Sequence, residues 1–277
     1  MLLFTGLITA CGGVSERPPA DGPVRDRDAT VGDSAVSDAS TSSQLGTEAN
    51  PARTCAELDV AGMPSGVYWL HQTALQDAAF RVYCEQDFNG GGWAMLENSV
   101  RRDDGSTTTF WQFKYDDRLR ELGTLAPDQN YYNGALYKIG TEYMDVFTDL
   151  AGKTVGAAVM TAKGFNPTTM QFMQPALTIG SADVFGAQFA TGWSSQDHDG
   201  DPYADGTANC AKAYANIAQH YSACWIYNLG ADADADVFDG GVGPHVNNTL
   251  LTTLGLMLQP GGGSYSQVKR IARFVRW

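Results

Sequence analysis

The sequence predicts a mixed α+β domain, and three observations predict it. Short segments of alternating apolar and polar residues are joined by turn-rich links, as paired strands require. Helical segments are few and short. The last third is long and irregular, and loops of that length need disulfides or metal to order them.

The elements follow in order. SGVYWL (65–70) and FRVYCEQ (80–86) read as a strand pair. DFNGGGWAML (87–96) places Gly90, Gly91 and Gly92 at a tight turn or a close backbone approach, and Trp93 starts another apolar segment. Residues 116–122 and 143–150 read as short helices, 153–162 as a buried strand, 211–221 as a helix and 266–277 as a closing strand.

The chain has 277 residues, 43% hydrophobic and 11% aromatic, enough for one large core or two small ones. Its formal net charge of −13 opposes sequence-independent nucleic-acid binding, because the phosphate backbone is itself anionic. No apolar run spans a bilayer. The segment MLLFTGLITA, ending at Cys11, resembles a bacterial lipobox, in which the cysteine carries the lipid; the segment is short and lacks basic residues. Residues 1–11 are therefore expected to be a lipoprotein-type signal, and any membrane association to run through Cys11 alone. Residues 12–52 are poor in aromatics and rich in Ser, Asp, Ala, Thr, Gly and Pro, the composition of a disordered tether. The globular domain is expected over 53–277.

Beyond Cys11 four cysteines remain, Cys55, Cys84, Cys210 and Cys224, an even number suited to two disulfides in an exported protein. Three pairings are open, and spacing does not choose among them. The competing reading, a four-cysteine zinc site, wants tight knuckles that do not occur here.

DHDGDPYADGTANC (197–210) carries alternating aspartates suited to a hard cation. An EF-hand wants Gly at position six and Glu at position twelve; counted from Asp197 these are Pro202 and Ala208, so the loop is of another kind. The alternative is a solvated acidic turn.

The order of Cys55-Ala-Glu-Leu, PSGVYWL, FRVYCEQDFNGGGWAML, the aspartate loop, Asn209-Cys210 and then Cys224 resembles the fibrinogen C-terminal-like domain. The likeness is densest over 55–96 and 197–230. It implies mixed and antiparallel sheets, short helices and calcium-ordered loops. It also implies the pairs Cys55–Cys84 and Cys210–Cys224, whose loops of 29 and 14 residue steps would each stabilise by about 3 kcal/mol. For calcium it implies carboxylates at Asp199 and Asp201, support from Asp197, and carbonyls of Tyr203 and Gly206. YSACWIYNLG (221–230) is similar to the family's ligand-pocket stretch, with Tyr221, Cys224 and Trp225 as wall residues. Trp225 stands where related lectins often carry histidine, and Tyr221, Trp225 and Tyr227 read equally as core aromatics. A second acidic run offers Asp232, Asp234, Asp236 and Asp239 to a second calcium, or forms a solvated loop. The following FDGGVGPHV resembles intelectins and would put His245 at a site rim.

The implied function is extracellular, calcium-dependent recognition of acetylated or diol-bearing glycans from a lipid-anchored position on a bacterial envelope. A protein-binding adhesive module, with another surface protein as partner, is the second reading. The third is a metal-dependent hydrolase using Asp199, Asp201 and His198 or His245. It lacks GxSxG, HExxH and phosphate-loop signatures, and an all-oxygen site activates water poorly beside zinc, so a non-enzymatic module is expected.

Overall fold

The computed structural model describes residues 44–180, 192–202, 209–222, 224–231, 241–260 and 263–277. Cys11 and the signal segment lie outside them. The first ten strands are β1 (Gly66–Leu70), β2 (Phe80–Glu85), β3 (Trp93–Val100), β4 (Glu121–Gly123), β5 (Tyr131–Asn133), β6 (Glu142–Thr148), β7 (Thr154–Thr161), β8 (Gly164–Asn166), β9 (Gln171–Met173) and β10 (Ala176–Ile179). Six more follow: β11 (Gly192–Ser194), β12 (Gln219–Tyr221), β13 (Tyr227–Asn228), β14 (His245–Asn247), β15 (Tyr265–Gln267) and β16 (Arg270–Arg276).

One nine-stranded sheet dominates, in the order β1-β2-β3-β16-β6-β7-β10, with β5 pairing β3 and β4 pairing β5. Its strand pairings are antiparallel. The closing strand expected over 266–277 is β15 and β16, and β16 inserts between β3 and β6. Its alternation feeds two layers. Ile271 and Val275 enter the larger core cluster, while Ala272 and Phe274 enter the smaller one with Trp93, Met95 and Met144.

Arg273 lies on the first of these faces, 1% exposed, opposite Glu97 on β3 and Asp145 on β6. Its Nε and one terminal nitrogen reach the two Asp145 oxygens at 2.8 and 3.0 Å, and the other reaches Glu97 Oε1 at 3.1 Å. Tyr137 donates to Glu97 Oε2 and Tyr227 donates to Asp145 Oδ2. Burial pushes the Glu97 carboxyl up to about 7, against the pull of Arg273. Nearby, burial pushes His220 down to about 3, with the Arg273 charge adding; its Nε2 faces the Met170 carbonyl at 2.7 Å, so that nitrogen carries the proton.

The strands expected over 65–70, 80–86 and 153–162 are β1, β2 and β7. Gly90, Gly91 and Gly92 all take positive φ, and Gly91 and Gly92 lie against the Cys55–Val60 helix, where a Cβ on Gly92 would meet Ala56 Cα at 2.9 Å. That helix starts with Thr54, whose hydroxyl accepts from the Glu57 N–H, while the Glu57 carboxylate accepts from the Arg53 N–H at 2.7 Å.

Four expectations are corrected. Residues 143–150 are not a helix but most of β6: a strand buried on both faces loses its alternation, and Tyr143, Phe147 and Leu150 happen to fall at helical spacing. Residues 116–122 form a 3-10 turn, Tyr115–Asp117, and then β4. The helix expected over 211–221 stops after Cys210–Ala213, because Ala215 and Asn216 both turn left-handed and deliver Gln219–Tyr221 to β11 as β12. The tether does not reach residue 52: Leu45 packs on the core, Ala52 is fully buried and bridges Leu70, and Gly46 accepts from the Trp69 N–H.

Candidate functional site

The aspartate loop grows out of β11. Ser195 and His198 close a tight turn through N–H to carbonyl bonds of 2.9 and 3.3 Å. Asp197 sits at its tip, and its Oδ1 accepts from the Ser195 hydroxyl at 2.8 Å and from the Tyr115 N–H at 3.0 Å. Against the upward push of burial, these donors hold the Asp197 carboxyl below the usual range. Asp197 thus braces the turn. His198 stacks on the Tyr115 ring at 3.8 Å.

The turn is fastened to the second disulfide. Asn209 caps the Cys210–Ala213 helix by accepting from the Lys212 N–H, and its Nδ2 donates to the Ser195 and His198 carbonyls at 2.9 and 3.0 Å. Asp201 Oδ2 accepts from the Ser194 hydroxyl at 2.8 Å and from the Cys210 N–H at 3.0 Å. Ser194 Oγ in turn accepts from the Gly200 and Asp201 N–H groups. Gly192 and Gly200 pack backbone to backbone, and a Cβ on Gly192 would fall 1.6 Å from the Gly200 carbonyl oxygen.

Asp199 is exposed beside Asp201. Partial burial and then the Asp201 charge push its carboxyl up, His198 pulling the other way. Two like charges at one point, both hard oxygen donors, fit a calcium ion, which would relieve their repulsion. The described residues hold no cluster of three or more His, Cys, Asp or Glu side chains. Tyr203, Gly206, Asp232, Asp234, Asp236 and Asp239 lie outside them.

Both disulfides form as the resemblance implied, Cys55–Cys84 and Cys210–Cys224. Cys224 is half-buried, and its carbonyl accepts from the Ser222 N–H at 2.8 Å. Trp225 is 7% exposed, edge-on to Tyr214 at 5.4 Å and tilted against Tyr265 at 4.3 Å. Its buried indole N–H has no acceptor among the described residues. Tyr221 is fully buried and its hydroxyl donates to the Ile217 carbonyl, so it supports the wall from inside rather than facing a ligand. His245 is 5% exposed, fixed in β14 between β13 and β15, with Nδ1 against the Gly243 carbonyl. It is therefore a buried strand residue and not a rim residue.

Sequence reasoning missed Ser194, Tyr115, Tyr214 and Tyr265. Ser194 carried a local signal, a hydroxyl seven residues before Asp201 in a serine pair. Tyr115 is 82 residues from Asp197, and only the fold joins them.

No family model matches the chain. Angiopoietin-1 of Canis lupus familiaris and of Sus scrofa are each 27% identical to it over 118 residues, 42% of this chain. That match spans 21% of the relatives' own length. Among solved structures, the fibrinogen-like globe domain of human ANGPTL6 is similar with a TM-score of 0.54 and 25% identity, over 82% of this chain and 96% of that one. The corresponding domain of human ANGPTL2 is similar with a TM-score of 0.53 and 21% identity, over 82% and 99%. The antiparallel sheets and few short helices thus form a fibrinogen-like fold, and the two disulfides pair as the sequence resemblance implied.

Proposed function

We propose that the chain is an extracellular recognition module whose aspartate loop holds calcium and whose neighbouring wall binds carbohydrate. Asp199 and Asp201 supply carboxylates, with carbonyls of Tyr203 and Gly206 completing the shell. Calcium there orders the loop leading to Cys210, and through the Cys210–Cys224 bridge it fixes the wall at Cys224 and Trp225. One observation carries the ligand reading: the Trp225 indole N–H is buried without an acceptor among the described residues. Leaving such a donor unmet costs about 1–3 kcal/mol, and a carbonyl such as that of an acetylated sugar would meet it. A second calcium at Asp232, Asp234 and Asp236 is part of the proposal, as is lipid anchorage of a bacterial envelope protein through Cys11. The oxidised disulfides support an extracellular or secreted setting. Among the described residues no helix is long and apolar enough to cross a membrane.

Thermal unfolding with calcium and with EGTA tests the cation. At a hundredfold excess over Kd, calcium should stabilise by about 3 kcal/mol, and Asp199→Ala/Asp201→Ala should abolish the increment. An unchanged transition would remove the cation from the reading. A glycan array with and without EGTA tests the ligand. Capture of a surface protein, insensitive to competing sugars, would favour the protein-binding reading instead.

A further inference from the structure

A cleft lies at one end of the central sheet. Val100 on β3, Arg270 on β16, Thr148 on β6 and Thr154 on β7 stand in a transverse row, each the register partner of the next. The row lines a cleft of about 620 Å³, walled by residues 101–104 and 127–130 and by Lys269. That volume is within the usual range for small-ligand sites.

The walls are held in place. Asn98 Nδ2 donates to the carbonyls of Ala126, Pro127 and Gln129, while its Oδ1 accepts from Arg270 Nε at 2.5 Å. Asn130 Oδ1 accepts from the Val100 N–H, and the Arg101 N–H donates to the Lys269 carbonyl. A rigid, preformed polar cleft loses little entropy on binding.

Its charge is out of keeping with the molecule. In a chain of net charge −13, four of the 18 Lys and Arg residues converge here. Arg101 and Arg102 pair with the rim carboxylates of Asp103 and Asp104 at 3.2 and 3.6 Å. Lys269 and Arg270 form no ion pair among the described residues; the Arg270 guanidinium rests on the Asn98 amide, and the exposed Asp128 is the remaining acid on the rim. Thr148 and Thr154 share one hydrogen bond at 3.0 Å, which leaves lone pairs for sugar hydroxyls. Charge-assisted bonds to a carboxylate or sulfate are the strongest contacts such a lining offers.

We propose that this cleft binds an anionic saccharide, its carboxylate or sulfate held by Lys269 and Arg270 and its hydroxyls by Thr154 and Gln129. The site is separate from the aspartate loop and needs no calcium. Calorimetric titration of the full chain in EGTA tests it, with a heparin-derived hexasaccharide, an oligogalacturonate and neutral cellohexaose. At least one acidic oligosaccharide should bind and cellohexaose should not. Lys269→Glu should weaken binding tenfold or more, while Lys163→Glu, the same charge change on the exposed start of another loop, should alter it less than twofold. Asp199→Ala/Asp201→Ala should leave it intact, which separates this site from the calcium reading. No binding of either acidic probe overturns the proposal. So does equal weakening by Lys163→Glu, which is bulk attraction, or loss in the Asp199/Asp201 variant.

Discussion

The centre of the large sheet and the aspartate loop both gather carboxylates, and they treat them in opposite ways. At Arg273 all four oxygens of Glu97 and Asp145 accept from the guanidinium or from the Tyr137 and Tyr227 phenols. The account closes within the protein, and the group is sealed from solvent. At the loop, Asp197 and Asp201 are braced by backbone and hydroxyl donors, but Asp199 stands exposed against Asp201 with its carboxyl pushed up. Beyond the Cys210–Cys224 bridge, Trp225 buries a donor with no acceptor among the described residues. Polar groups satisfied internally specify the fold; under the proposed function, those left unmet beside the braced loop await a cation and a ligand.

Breaking the sheet cluster should have the largest effect. Arg273→Met strands two buried carboxylates and should cost about 3–5 kcal/mol, read as a lower urea midpoint, with Arg273→Lys intermediate. Next come the disulfides. Cys55→Ser/Cys84→Ser and Cys210→Ser/Cys224→Ser should each cost about 3 kcal/mol in thermal or urea unfolding. They sharpen the contrast, because only the second pair should also shrink the calcium increment. If both pairs leave that increment intact, the disulfide does not couple the loop to the wall. Asn209→Ala and Ser194→Ala should each cost about 1 kcal/mol and weaken the calcium response, the first through the lost cap and staple, the second through the Asp201 anchor.

The last expected effect is a shape in the pH dependence of stability. His220 has a folded value of about 3 against 6.5, so its contribution grows as pH rises across that interval. Glu97 has a folded value of about 7 against 4.5, so its contribution is full below 4.5 and is lost as pH rises to 7. The two oppose each other between 4.5 and 6.5. Wild-type stability should climb from pH 3 to 4.5, flatten, and then fall toward 7. Glu97→Gln should instead climb to 6.5 and hold, as measured by urea unfolding across that range.

Much of this was legible in local sequence. β1, β2, β7 and β16 announced themselves by alternation or apolar runs, the glycine triplet by its need for positive φ, and the aspartate loop by spacing that suits hard oxygens. What was hidden depends on distant partners. β6 reads as a helix because burial on both faces erases its alternation. Arg273 draws no notice within the closing strand, and nothing near it in sequence shows that Glu97 and Asp145 flank it. Tyr221 and His245 sit in motif-like surroundings, and only the packing of β12 and β14 reveals that both face inward.

The central position of β16 has a consequence for how the chain assembles. Glu97 must wait for a partner 176 residues later in the chain, and β3 and β6 have no shared neighbour until that strand exists. Such long-range closure makes for high contact order and slow folding. Until β16 arrives, the two halves of the sheet present raw edges and two clusters of apolar side chains with no lid. During synthesis the molecule therefore passes through a long aggregation-exposed interval, and its yield should depend on chaperones more steeply than its final stability would suggest.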